Sequence, residues 1–104
     1  MLSVQKIACA NAAGFVMNFD IKYLDNNGQW QAVGNSGNYP IDQTHILDAA
    51  ALGVPVGAIM NAGVHAIAGV SHDGDTLVTF SPNGQTATYN VQGTTLIYSV
   101  HLNS

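Results

Sequence analysis

The chain has 104 residues, a formal net charge of −4 and 8% charged residues, with no Glu, no Arg and only Lys6 and Lys22 as fixed cations. Without a basic patch nothing is available to neutralise phosphates, so nucleic acid is excluded as an expected partner. The lone cysteine, Cys9, excludes an intramolecular disulfide and a multi-cysteine zinc site, and no apolar run reaches the length of a membrane-spanning helix, so no transmembrane segment is expected.

At this length folding buries about two thirds of the unfolded surface, and residues 1–104 are expected to form one domain around one core. Solubility must rest on Asn, Gln, Ser and Thr. Weak charge repulsion between copies makes a homo-oligomer the expected state. The opening run MLSVQKIACANAAGFVMNF is interrupted by Lys6 and Asn11 and continues smoothly into a strand, so it does not read as a cleaved signal peptide. A soluble protein, cytoplasmic or released by a non-classical route, is expected.

In chain order, a first strand is expected over Val4–Ala10. From Phe15 the alternation is longer: Phe15, Met17, Phe19, Ile21 and Tyr23 share one face, Asn18, Asp20 and Lys22 the other. Further strands are expected over Gln29–Val33 and Gln43–Leu47. Asp48 then caps a single helical turn through Leu52, ended by Gly53 and Pro55. The segment 49–57 is apolar for a connection and is expected to close one end of the core. Strands over Gly63–Val70 and Thr76–Phe80 follow. Residues 86–91 and 95–102 then alternate as a sequential pair joined at Gly93.

Turn signals separate these runs: DNNG at 25–28, NSGNYP at 35–40, HDGD at 72–75 and SPNG at 81–84. Seven or eight short strands at this spacing predict an all-β fold, a single-domain antiparallel β-sandwich of Ig-like or jelly-roll-like kind.

Candidate chemistry centres on YLDNNGQW, residues 23–30. A helix-loop-helix calcium loop needs a bidentate Glu, which the chain lacks. Asn27-Gly28 between two strands is a tight-hairpin sequence in which both central residues tolerate positive φ. That hairpin places Trp30 beside Asp25, Asn26 and Asn27. An aromatic face next to short polar groups suits a sugar, whose C–H patch stacks on the ring while its hydroxyls take hydrogen bonds. Trp30 has a competing reading as a core plug. The loop 34–40 adds Asn35, Asn38 and Tyr39 as ligand-binding candidates, although it falls at the far end of the intervening strand, and Tyr39 before Pro40 also reads as a packing residue.

His72, Asp73 and Asp75 form an incomplete metal set, to which a cation such as calcium would need further ligands from elsewhere in the fold, and Asp-Gly there reads first as a turn. No resident cofactor is expected. His45, His65 and His101 fall on separate strands without helical spacing, and a zinc cluster would require the fold to gather them. No phosphate loop, nucleophile elbow or paired acidic residues are present, so the chain is not expected to be an enzyme.

The expected function is a non-enzymatic, lectin-like binding module for a glycan or another neutral polar ligand. The alternatives are a self-assembling structural protein and a small lipid-binding β-sandwich. In outline and size the chain resembles small membrane-active sandwich proteins of the aegerolysin and actinoporin kind, a resemblance of architecture that implies lipid recognition.

Overall fold

The computed structural model describes residues 1–103 and folds them into ten strands: β1 (Ser3–Val4), β2 (Lys6–Asn11), β3 (Met17–Leu24), β4 (Trp30–Val33), β5 (Thr44–Asp48), β6 (Ile59–Ala66), β7 (Ser71–Asp73), β8 (Val78–Phe80), β9 (Thr86–Gly93) and β10 (Tyr98–Leu102). They make two sheets. One has the order β1-β8-β6-β3-β4 with β7 also paired to β6; the other runs β10-β9-β2-β5.

The alternation from Phe15 organises the first sheet. Met17, Phe19 and Ile21 of β3 are buried on the same inner face as Met60, Ala62 and Val64 of β6 and Val78 of β8, while Asn18, Asp20 and Lys22 point outward. The second sheet contributes Ile7, Cys9, Ala87, Tyr89, Val91 and Val100 to the same core. Two inner faces closing on one another are the all-β sandwich that the strand spacing predicts. Most ladders are antiparallel, but β1 runs parallel to β8 and β2 parallel to β9.

Several strand boundaries differ from the sequence reading. The first expected strand splits at Gln5: β1 joins the first sheet and β2 the second, so the chain changes sheets within a few residues. The strand expected over Gly63–Val70 begins earlier, at Ile59, because Gly63 lies in its interior. A Cβ on Gly63 would sit 2.5 Å from Asp20 Oδ1, so this glycine makes room for a carboxylate lying across the sheet. His72 and Asp73, expected in a turn, belong to β7.

No regular helix occurs among the described residues. Asp48 nevertheless caps the expected turn: its Oδ1 accepts Ala50 N at 3.0 Å, and Leu52 N donates to Asp48 O at 3.2 Å. Gly53, at φ 79°, ends it. In the segment that follows, Ala49 and Val54 are buried in the core while Val56 is exposed, so 49–57 both closes one end and shows an apolar edge.

The β9–β10 connection depends on Gly93. Its φ of 131° is open only to glycine, and an added Cβ would meet Ile97 O at 2.4 Å and Tyr98 Cα at 2.6 Å. Backbone strain alone costs about 1–3 kcal/mol, and these neighbours are main chain and cannot swing away. Gly93→Ala is therefore expected to lower stability by about 3 kcal/mol, read as a fall in urea midpoint without a change in slope.

Candidate functional site

The DNNG hairpin is tighter in its bonding and looser in its turn than Asn27-Gly28 alone implies. Gly28 N donates to Asp25 O at 3.2 Å and Asp25 N to Gln29 O at 2.9 Å. Gly28 is the only residue of the turn at positive φ, so the loop has three residues with a glycine bulge, not a two-residue turn. Asp25 Oδ1 accepts Asn27 N and Gln29 N, each at 2.9 Å, and Oδ2 accepts Gln31 Nε2 at 2.9 Å. The Gln29 amide, then the Gln31 side chain, hold the Asp25 carboxyl below its ordinary value. A depressed carboxyl stabilises the turn above its ordinary pKa and loses that contribution as pH falls through the lowered value. Protection of the Asn27 and Gln29 amides, taken relative to the intrinsic exchange rate at each pH, is accordingly expected to fall on acidification below about pH 4.

With Asp25 committed to the turn, Asn26 is free to face outward. It lines a cleft of about 290 Å³ together with Leu24, Pro55, Val56, Gly57, Ala58 and Ile59. The hairpin and the apolar segment 49–57, far apart in sequence, thus meet at one end of the sandwich. Trp30 sits directly opposite Leu24 in the β3–β4 ladder, and residues paired in this way share a face. It is 48% exposed, because β4 is an outermost strand and this register points the indole outward. The core-plug reading of Trp30 is thereby corrected.

Asn35 and Asn38 lie at the other end of β4. Asn35 Nδ2 donates to Asn18 Oδ1 and Asn18 Nδ2 to Asn38 Oδ1, both at 3.0 Å, while Asn35 Oδ1 accepts Gly37 N. These amides form a chain with one another and do not join Asn26 and Asn27. Tyr39 is not a surface ligand. It is 1% exposed, its hydroxyl donates to Cys9 O at 2.8 Å, and its ring stacks on His45 at 4.0 Å between centroids. Burial pushes both the Tyr39 phenol and the Cys9 thiol well above their usual range.

The candidate metal residues part company. Asp73 Oδ1 meets Lys22 Nζ at 2.7 Å, Asp75 Oδ2 meets His101 Nδ1 at 2.6 Å, and His72 packs edge-on against the Tyr98 ring. Among the described residues no three His, Cys, Asp or Glu side chains gather as a ligand set. His45, His65, His72 and His101 each have a different partner.

Two features escaped the sequence. On the outer face of the first sheet, His65 lies between Asp20 and Ser71, a contact spanning three strands. At the end opposite the cleft, loops 12–16, 67–70 and 94–97 meet: Ile67 N donates to Val16 O and Val70 N to Thr95 O. None of these loops carries an ionisable side chain, and Val16, Ile67, Val70, Leu96 and Ile97 are all exposed, Ile97 at 80%. The signal was the absence of charge beside Gly69 and Gly93, masked because Ile67–Val70 reads as a strand interior.

No protein-family model matches the chain, and no curated protein matches it. Solved structures do. Pneumolysin superposes at a TM-score of 0.54 with 13% identity over 95% of this chain and 23% of its own. Listeriolysin O superposes at 0.54 with 18% identity over 95% of this chain and 22% of its own. Intermedilysin, solved with human CD59, gives 0.51 with 12% identity over 95% of this chain and 24% of its own. The chain therefore spans about a quarter of each of these proteins, and at such identity the likeness is one of fold.

Proposed function

We propose that the chain is a binding module that takes carbohydrate at the hairpin-end cleft. The observation that carries this reading is a cleft with an apolar floor and the Asn26 amide at its rim, whose wall residue Leu24 pairs across the β3–β4 ladder with the exposed Trp30. The floor takes the C–H face of a sugar, the amide donates to and accepts from its hydroxyls, and no charged residue lines the cleft, which selects a neutral ligand. A structure described as sugar binding protein pneumolysin is among the fold neighbours and supports the same class of ligand. Single shallow sugar sites are weak, and a homo-oligomer would raise their avidity by presenting several at once. A glycan array probed with calcium and again with a chelator tests the reading. Binding to a defined set of neutral glycans in both conditions is expected, since Asp73 and Asp75 are engaged elsewhere. A blank array in both conditions overturns it.

A second reading is favoured by the charge-free end. Three loops that present Val16, Ile67, Val70, Leu96 and Ile97 without a single ionisable side chain suit the apolar boundary of a bilayer. With no cation at this end and a net charge of −4, such docking gains nothing from anionic lipid. Each buried large aliphatic contributes about 1.5–3 kcal/mol. The double change Leu96→Asp with Ile97→Asp is expected to cut co-sedimentation with neutral phosphatidylcholine vesicles by roughly a hundredfold or more, and equal sedimentation of both proteins removes this reading.

A further inference from the structure

The outer face of the first sheet carries a relay remote from the cleft. His65 Nε2 lies 3.0 Å from Asp20 Oδ2, and His65 Nδ1 lies 2.8 Å from Ser71 Oγ. We propose that this is a nucleophile–base–carboxylate constellation, in which Ser71 accepts acyl groups from small apolar esters.

The roles follow from hydrogen-bonding chemistry. Ionised Asp20 can only accept, so Nε2 carries the ring proton and donates to it. Nδ1 is then left with its lone pair, and the Ser71 hydroxyl donates to it. A serine whose proton is aimed at a histidine, itself oriented by a carboxylate, is the arrangement that activates serine nucleophiles on unrelated folds, and it is recognised by roles and not by chain order. Here the two ring nitrogens exchange duties relative to the usual serine-protease order.

The burial pattern fits such a role. The Asp20 side chain is 14% exposed, and its Oδ1 is buried without any hydrogen-bond partner. That oxygen rests against Gly63, where any side chain would displace it. Hydrogen-bonded to Nε2, the Asp20 carboxylate holds the ring with Nδ1 turned toward Ser71. Ser71 is exposed on β7, reachable from solvent, and follows Val70 of the apolar end, which offers a surface for a short acyl chain. Lys22, the one lysine on this face, sits over Gly63 with its ammonium 2.7 Å from Asp73 Oδ1, two residues along β7 from Ser71.

In the reaction Ser71 Oγ bonds to the ester carbonyl carbon as its proton passes to His65 Nδ1, and the carbonyl electrons move onto oxygen. The tetrahedral adduct collapses, the C–O bond to the alkoxide breaks, and the alcohol leaves with the proton from Nδ1. Acyl-Ser71 remains, and water attacks it by the same path to release the carboxylic acid.

The test uses an alkyl fluorophosphonate followed by intact mass, together with release of p-nitrophenol from p-nitrophenyl butyrate. One label per chain, located on Ser71, is expected in the wild type, and none in Ser71→Ala. Asp20→Asn, a change of a positioning residue, should slow labelling by roughly 10² to 10⁴, the range a positioned base contributes, and shift the midpoint of its pH profile. Circular dichroism establishes that each variant is folded. An unlabelled wild type, or equal labelling in Ser71→Ala, overturns the proposal.

Discussion

Tyr39→Ala is expected to lower stability by about 3–5 kcal/mol, the range for deleting a buried aromatic ring. Tyr39 is 1% exposed, meets the Phe19 ring edge-on at 6.4 Å and stacks on His45. Its hydroxyl also ties the loop after β4 to the β2 backbone through Cys9 O. Removing the ring opens a cavity between the two sheets at the point where residues 34–43 cross from one to the other. For a domain this size the loss corresponds to a melting temperature lower by about 15–30 °C. Tyr39→Phe keeps the ring and deletes only the hydroxyl, and should cost about 1 kcal/mol. Thermal melts of the two variants separate packing from hydrogen bonding. A Tyr39→Ala protein as stable as the wild type would show that this ring does not anchor the sandwich.

Trp30→Ala should behave in the opposite way. The indole is half-exposed on an outermost strand, so the change in stability should stay within about 0.5 kcal/mol. Aromatic anchors commonly carry 2 kcal/mol or more of binding energy, which predicts a loss of glycan affinity of about thirtyfold. Titration of an array-identified glycan against both proteins decides the matter. Unchanged affinity in a folded Trp30→Ala protein would remove the indole from the site.

These two aromatic residues mark the limit of what period-two patterning reveals. Alternation from Phe15 to Tyr23 identifies the face of β3 because one side is apolar and the other carries Asn18, Asp20 and Lys22. Trp30 and Tyr39 stand in short polar surroundings, where the same rule is silent. Trp30 proves exposed because β4 lies at a sheet edge, and Tyr39 proves buried because its hydroxyl finds a backbone acceptor thirty residues away. Both depend on pairings that close only in three dimensions. Asp25 was legible as a turn residue, since its bonds are to Asn27, Gln29 and Gln31 nearby. The Asp20–His65–Ser71 contact was not, because it joins three strands across a glycine that reads as a strand boundary. The cleft was half legible: segment 49–57 was expected to close an end, but its meeting with Asn26 follows from sheet order.

The parallel pairing of β2 with β9 has a consequence for how the protein is made. On one edge Lys6–Asn11 finds its neighbour only in Thr86–Val91, and Ser3–Val4 pairs with Thr79–Phe80. During translation at about 5–20 residues per second, β2 therefore waits several seconds on the ribosome with one edge unsatisfied, shielded on the other side at most by β5. Closure of such distant pairs is slow, on the millisecond-to-second scale of all-β topologies. A strand edge left open that long invites pairing between copies, so folding yield should depend more on how crowded the emerging chains are than on the stability of the finished sandwich.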